Sequence, residues 1–269
     1  IDGEQSKHKT HHHHHPHHDE AIHRTGFPLL VFSHGLTGTN EEHSMLLSDI
    51  ARHGYVVAAL THQDGSAARA RMENGSTLYY QAQYDVDRPS QVKRRQAEFA
   101  AVREHVLEKS PEDLRAVIDR KTVIAGGFSY GATTAALESV TNPEEYQGVI
   151  LFDGWFHVDG LDYPADVHRK GIQHPSLIMT SSRFDPTHPY ARAGKRVAER
   201  AASLVSPCRA VELPDSAHEH FVDLPFWVPM KPPRCCCPRQ PEGALANIMT
   251  VRDETLQFLA LRARANDVV

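Results

Sequence analysis

The chain has 269 residues, 40% of them hydrophobic and 23% charged, which are the proportions of a globular protein with a sizeable core. There are 29 Lys and Arg against 34 Asp and Glu, so the net charge is -5, and no basic run predicts a nucleic-acid partner. No uninterrupted apolar stretch has the length of a bilayer span, so no transmembrane helix is predicted.

Residues 1–26 are polar and include histidines at 11–15, 17 and 18. This composition predicts a disordered segment ahead of one ordered domain over 27–269, with a metal-binding tract as the alternative interpretation. Because the first residue is Ile1 rather than Met, we expect a processed form or a piece of a longer chain. Any targeting signal is then expected outside it.

The four cysteines are Cys208 and the adjacent Cys235, Cys236 and Cys237. This arrangement has neither the spacing of a disulfide framework nor that of zinc ligands. It weakly favours a reducing, cytoplasmic compartment, and lipid modification of the cluster is the alternative.

Hydrophobic periodicity predicts an α/β domain in which six buried strands alternate with helical crossovers. In chain order we expect a strand at 29–32, a helix at 41–53 and a strand at 54–60, then a polar loop or lid reaching residue 88. A helix at 91–109, a short turn or helix at 112–118, and a strand and helix within 121–137 follow. Strands at 148–152, 175–180 and 209–213 and helices at 191–204 and 245–262 complete the prediction.

The segment 121–137 is the centre of this pattern, because it contains Gly127-Phe128-Ser129-Tyr130-Gly131 between the strand and an alanine-rich helix. A G-x-S-x-G pattern in that setting is typical of the nucleophile elbow of α/β-hydrolases. Gly127 and Gly131 are the residues that such a sharp turn requires to be small. Ser129 is therefore the candidate nucleophile.

A serine nucleophile needs a histidine base, and the histidine needs a carboxylate that fixes its tautomer. In this fold the order along the chain is Ser, acid, His, each after a strand. Asp153 and Asp185 both qualify as the acid. His218 follows the last predicted strand, and His220 is expected to point elsewhere.

Two backbone amides are expected to stabilise the oxyanion of the tetrahedral intermediate. One is the N–H of Tyr130, the residue after the nucleophile. The other is the N–H of Leu36, in the loop after the first strand.

Several motifs occur together in the order of one family: VFSHGL at 31–36, GYVVAAL at 54–60, HQDGSA at 62–67, QVKRRQ at 91–96, FDGW at 152–155 and SAHEHF at 216–221. With the elbow, they resemble the platelet-activating factor acetylhydrolases, which are calcium-independent serine phospholipases of the α/β-hydrolase superfamily. The resemblance covers roughly residues 28–225. It implies Asp153, in an Asp-x-Trp motif, as the acid in preference to Asp185.

The chain departs from the family pattern in three places. Gly-Phe precedes Ser129 where the family has Gly-His, segment 229–241 is unfamiliar, and the antiparallel strands that normally come before the first strand are expected to be missing. These departures concern substrate preference more than chemistry.

The resemblance implies hydrolysis of a short or oxidised acyl chain at the second glycerol position of phospholipids, without a metal or organic cofactor. A general carboxylesterase or a cutinase-like polyester hydrolase is the alternative enzyme. A non-catalytic hydrolase-fold binding protein is the alternative from another class. Phe226 and Trp227 lie in an aromatic stretch interpreted as a strap on the core, or else as a peripheral contact with a lipid surface.

Overall fold

The structure is a computed structural model that describes residues 26–81, 87–182, 187–223 and 243–265, with side chains described as far as Arg262. Within these ranges the chain forms ten strands. They are β1 (Phe27–Ser33), β2 (Val56–Leu60), β3 (Arg69–Arg71), β4 (Thr77–Tyr79), β5 (Ile118–Phe128), β6 (Gly148–Phe152), β7 (His157–Val158), β8 (Leu161–Asp162), β9 (Ser176–Ser181) and β10 (Cys208–Leu213).

The α-helices within the same ranges lie between these strands and at the end of the chain. They are α1 (Ser44–Arg52), α2 (Arg88–Glu104), α3 (Glu112–Val117), α4 (Tyr130–Thr141), α5 (Ala165–Lys170), α6 (Pro189–Leu204) and α7 (Ala244–Ala265). None of these helices is long and apolar enough to cross a membrane.

Six strands form one parallel sheet in the order β10-β9-β6-β5-β1-β2, and the other four form two antiparallel hairpins. The chain adds β2 on one side of β1 and later adds β6, β9 and β10 on the far side of β5. The carboxyl ends of β1 and β5 therefore flank the point where the strand order reverses, which is where open α/β sheets bind ligands.

The sheet is covered on both faces, as the continuous hydrophobic strands predict. Because side chains alternate along a strand, Leu29 and Val31 of β1 enter one core with α4, whereas Leu30 and Phe32 enter a second core with α1 and α7. The loops that follow the carboxyl ends of the strands carry the candidate site residues.

Helix α4 packs closely on the sheet because its first turns are made of small side chains. Eleven of its twelve residues are buried. A Cβ on Gly131 would overlap the carbonyl oxygen of Ser33, and a Cβ on Gly127 would overlap the carbonyl of Gly131. The two glycines therefore allow β1, β5 and α4 to meet at the elbow.

The six predicted sheet strands are confirmed, and the helix boundaries differ by a few residues. Helix α2 starts at Arg88 rather than 91 and continues as one π-helical turn, His105–Lys109. The region predicted as a loop or lid contains the hairpin β3–β4. The hairpin β7–β8 and helix α5 were missed, because two-residue strands and a six-residue helix are too short to show a periodic pattern.

Gly131→Ala should lower the free energy of unfolding by at least about 3 kcal/mol, because the new methyl group meets backbone of β1 that cannot move aside. Gly75→Ala is the matched control, since Gly75 has φ 82° but nothing lies within 4 Å of its Cβ position. Gly75→Ala should lower the free energy of unfolding by only about 1–2 kcal/mol, which is the cost of holding an alanine in a left-handed conformation. Urea midpoints measure both, and equal losses would contradict the close-packing argument.

Candidate active site

Ser129 lies directly after β5 in a strained backbone conformation. Its φ is 53° and its ψ is -117°, in a region that residues with a side chain rarely adopt. Its N–H donates to the carbonyl of Phe152 at 2.8 Å, and its own carbonyl accepts the N–H of Trp155 at 3.1 Å. These two bonds join the turn to the end of β6, so the neighbouring strand holds the strained conformation in place.

Asp153 follows β6 and is only 8% exposed. Its Oδ1 accepts the N–H of Ser181 at 2.9 Å, and its Oδ2 accepts the Ser181 hydroxyl at 2.8 Å. Oδ2 also lies 2.6 Å from Nδ1 of His218. A carboxylate has the lone pairs to accept all three bonds. A proton on Nδ1 of His218, donated to this carboxylate, makes Nε2 the basic nitrogen.

His218 is carried on the 3₁₀ turn His218–Phe221 after β10, which packs on the elbow. Its ring lies against the ring of Phe128, with 4.5 Å between centroids and 31° between planes. Phe221 stacks on the same ring at 6.2 Å and on Phe152 at 5.9 Å. Because Phe128 immediately precedes Ser129, this aromatic packing brings the imidazole to the elbow.

The loop after β1 also reaches the elbow. A Cβ on Gly35 would come within 3.0 Å of the Phe128 ring and 3.3 Å of the Cβ of Ser129. A side chain at position 35 would therefore crowd Phe128 and Ser129, which favours glycine there. Gly35 lies next to the Ser129 side chain.

The peptide group that carries the Leu36 N–H is fixed from its opposite side. Its carbonyl oxygen, that of Gly35, accepts from Nδ1 of His34 at 2.6 Å and from the N–H of Gly38 at 3.2 Å. In a planar trans peptide the N–H points away from the carbonyl, so these bonds determine the direction of the Leu36 N–H.

Tyr130 is the first residue of α4, so its N–H has no acceptor inside the helix. In the described part of the chain, neither this N–H nor that of Leu36 donates a hydrogen bond. Two amides beside Ser129 are thus available as donors, as an oxyanion hole requires.

Arg95 of α2 is fully buried and connects the loop after β1 to α4. Its guanidinium donates to the hydroxyls of Thr134 at 3.0 Å and Ser33 at 3.1 Å, and to the carbonyl of His34 and the hydroxyl of Ser66. Burial lowers the pKa of Arg95 to about 10, so it stays charged at neutral pH. The Arg95 guanidinium therefore links the loop after β1 to helix α4, and these two elements carry the candidate oxyanion donors.

A second polar chain lies beneath the same loop. Nε2 of His62 is 2.8 Å from the hydroxyl of Ser33, and Nδ1 of His62 is 2.7 Å from Oε2 of Glu98. Burial, together with the charge of Arg95, lowers the pKa of His62 well below its ordinary value. Ser33 and His62 have no exposed surface, so a substrate cannot reach them and the chain acts as a structural support.

Among the residues that the sequence singled out, the structure brings Ser129, Asp153, His218, Leu36 and Tyr130 together at one sheet edge. His220 points elsewhere, with its Nδ1 accepting from the N–H of Ala217 at 3.2 Å and lying 3.1 Å from the Asn247 amide nitrogen. The other positions lie outside the described residues: the competing acid Asp185, the aromatic pair Phe226 and Trp227, the Cys235–Cys237 cluster and the histidines at 11–18.

Sequence reasoning missed Arg95, Glu98 and Ser181. A signal for Arg95 was present, since it occupies the buried stripe of α2 between Val92 and Phe99, where a charged residue is unusual. Glu98 and Ser181 gave no such signal, because their roles depend on contacts between distant segments.

The fold is that of the α/β-hydrolases. A ferulic acid esterase from Streptomyces cinnamoneus superimposes with a TM-score of 0.66 at 21% identity, covering 87% of this chain and 66% of that one. A monoacylglycerol lipase from Paleococcus ferrophilus gives a TM-score of 0.54 at 13% identity, covering 87% and 96% of the two chains.

The chain belongs to the family described as "Platelet-activating factor acetylhydrolase, isoform II", whose sequence model matches residues 11–236. Proteins named platelet-activating factor acetylhydrolase from Canis lupus familiaris and Bos taurus are 28% and 26% identical over 233 and 241 residues. Each match covers 76% of this chain and 50% of the relative. The chain thus spans about half the length of these relatives.

Arg95→Met should lower the free energy of unfolding by about 3 kcal/mol or more, because it leaves buried acceptors on three segments without their donor. Arg94→Met on the next residue is the control. That side chain is 55% exposed and pairs only with Glu98, so its loss should cost less than about 0.5 kcal/mol. Denaturant unfolding of both variants measures the difference, and a small loss for Arg95→Met would contradict the bracing role.

Proposed function

We propose that this chain is a serine hydrolase that cleaves carboxylic esters by acyl transfer to water. The observation that carries the proposal is the 2.6 Å hydrogen bond between Asp153 and His218, beside a serine held at positive φ. Membership of a family named for an acetylhydrolase, on an α/β-hydrolase fold, supports an ester hydrolase independently.

In the proposed reaction, Nε2 of His218 takes the proton from the Ser129 hydroxyl as its oxygen attacks the ester carbonyl. Asp153 stabilises the imidazolium, and the N–H groups of Tyr130 and Leu36 stabilise the oxyanion. His218 then gives the proton to the leaving alcohol. A water molecule, deprotonated by the same imidazole, hydrolyses the acyl-enzyme and regenerates Ser129.

The proposed substrate is a phospholipid with a short or oxidised acyl chain at the second glycerol position, such as platelet-activating factor. Its support is the name of the family and of the relatives that the chain resembles over half their length. A general carboxylesterase is the second candidate, because the structural neighbours include a ferulic acid esterase and a monoacylglycerol lipase.

Arg88 favours the phospholipid over a neutral ester. Its guanidinium carbon lies 5.7 Å from the centre of the Trp155 ring and 5.8 Å from that of Tyr130. Both rings belong to residues whose main chain adjoins Ser129. Its side-chain hydrogen bond is to Gln91 at 2.6 Å, and within the described residues no carboxylate forms an ion pair with it. A half-buried guanidinium without a carboxylate is suited to a phosphate oxygen.

A fluorophosphonate probe should label Ser129, and Ser129→Ala should remove both the labelling and nearly all ester hydrolysis. Asp153→Asn should lower kcat by on the order of 10³–10⁴, because the imidazole loses the partner that fixes its tautomer. Single-turnover assays with a 4-nitrophenyl ester measure both variants.

Asp185→Asn is the matched control for the choice of acid, and it should leave kcat within a few-fold of the parent protein. A collapse of activity there, with near-normal activity in Asp153→Asn, would overturn the assignment. Continued labelling of the Ser129→Ala variant would overturn the assignment of Ser129 as the nucleophile.

Arg88→Gln should lower kcat/KM about tenfold for a phosphocholine ester and change it less than about threefold for 4-nitrophenyl acetate. The reason is that a charge-assisted hydrogen bond contributes about 1.5–3 kcal/mol only where the substrate carries the anion. Lys93→Gln, an exposed position on the same helix, should change neither value. Equal losses on both substrates would instead make Arg88 a structural residue.

A further inference from the structure

Glu42 lies under the loop after β1, in the turn that leads into α1. Its Oε2 accepts the N–H of Gly35 at 3.0 Å, and its side chain is 17% exposed. A Cβ on Gly38 would overlap this carboxylate, so the loop closes tightly around it. A carboxylate is thus placed inside the loop that presents the Leu36 N–H.

The bond to Gly35 completes the restraint of two successive peptide groups. In the first, the carbonyl of His34 accepts from Arg95 and the N–H of Gly35 donates to Glu42. In the second, the carbonyl of Gly35 accepts from Nδ1 of His34, and the Leu36 N–H donates to no acceptor among the described residues. Removing the Glu42 acceptor would leave the first peptide held only at its carbonyl, by Arg95, and would loosen the support of the second.

Glu42 also connects this loop to the segment that carries the base. Its main-chain carbonyl accepts the N–H of Asp223 at 3.0 Å. The Asp223 carboxylate in turn accepts from the Ser44 hydroxyl at 2.9 Å and the Met45 N–H at 2.8 Å, at the start of α1. Because Asp223 lies two residues after the His218–Phe221 turn, one short segment restrains both sides of the candidate site.

We propose that Glu42 is a positioning residue for the oxyanion hole, whose carboxylate holds the N–H of Gly35 and so supports the bonds at the Gly35 carbonyl that direct the Leu36 N–H. The proposal rests on the function proposed above, since an oxyanion hole has a role only if Ser129 attacks an ester. Glu42 does not touch the reacting atoms. It acts through the loop.

The groups that face Glu42 give this restraint a dependence on pH. His43 lies 3.9 Å away and is neutral, because burial lowers its pKa to about 3. Burial raises the pKa of Glu42 to about 7, while the charges of His218 and Arg95 act to lower it and that of Asp223 to raise it. Below that pH the carboxyl takes up a proton and becomes a weaker acceptor. Activity should therefore fall as the pH falls through about 7.

Glu42→Ala should lower kcat on 4-nitrophenyl acetate by about 10- to 100-fold with KM within about threefold, somewhat less than the loss of a whole oxyanion donor. Glu42→Gln should recover most of that kcat, because its amide oxygen can still accept the Gly35 N–H. It should also lack the ionisation near pH 7 and keep more of its kcat at pH 6 than the parent protein. Glu41→Ala, at the exposed neighbouring position, should match the parent protein throughout.

A parent-like kcat in folded Glu42→Ala would overturn the proposal. A pH profile of kcat for Glu42→Gln that coincides with that of the parent protein would also overturn it. This second result is the deciding one if Glu42→Ala shows no cooperative melting transition and is therefore not folded. Failure of the proposed function would look different, since the parent protein would then neither hydrolyse the ester nor react with the fluorophosphonate at Ser129.

Discussion

The close approach of α4 to β1 is the constraint on which the candidate site depends. Gly131 lies against the carbonyl of Ser33, where any larger residue would overlap backbone. This contact places the first turn of α4, which begins at Tyr130, beside the loop that follows β1 and carries Leu36. Ser129 has a positive φ, and two main-chain hydrogen bonds with Phe152 and Trp155, at the end of β6, hold it there.

The buried charge near that contact is held mainly by hydrogen bonds to neutral groups and by few direct ion pairs. Arg95 is fully buried, and hydroxyls and a carbonyl accept its hydrogen bonds. The carboxylates of Asp64, Glu98 and Glu42 act on it from a distance and favour its charged form, against the effect of burial. Burying such a network costs desolvation free energy. The loss of any one member would leave a buried polar group without a hydrogen bond, which is strongly destabilising. The hydrogen bonds that hold the site loops therefore stabilise the fold only when every buried partner is present.

The sequence was informative where local pattern and fold rules coincide. The six parallel strands and the elbow follow from hydrophobic runs and from the glycine spacing around Ser129. Loop positions after strands made Asp153, Asp185 and His218 candidates, and the preference for Asp153 came from the family resemblance. The hairpin β7–β8 and the contact of Ser181 with Asp153 were not predictable. The former is too short to have a period, and the latter joins residues 28 positions apart in sequence. Arg95 was visible only as a charged residue in an apolar stripe, and nothing local indicated what it would bind.

Two sets of serine, histidine and acid residues lie at this end of the sheet, and they differ in what surrounds them. Ser33, His62 and Glu98 have the same connectivity as a catalytic triad, with 2.8 Å and 2.7 Å between their polar atoms. Yet Ser33 has no exposed surface and already accepts a hydrogen bond from Arg95, so its hydroxyl has no access to substrate. Ser129, by contrast, is partly exposed, strained and flanked by two amides that donate to nothing else among the described residues. Partial exposure and two amides without acceptors among the described residues therefore distinguish Ser129 from Ser33, although both serines lie near a histidine that is hydrogen-bonded to an acid.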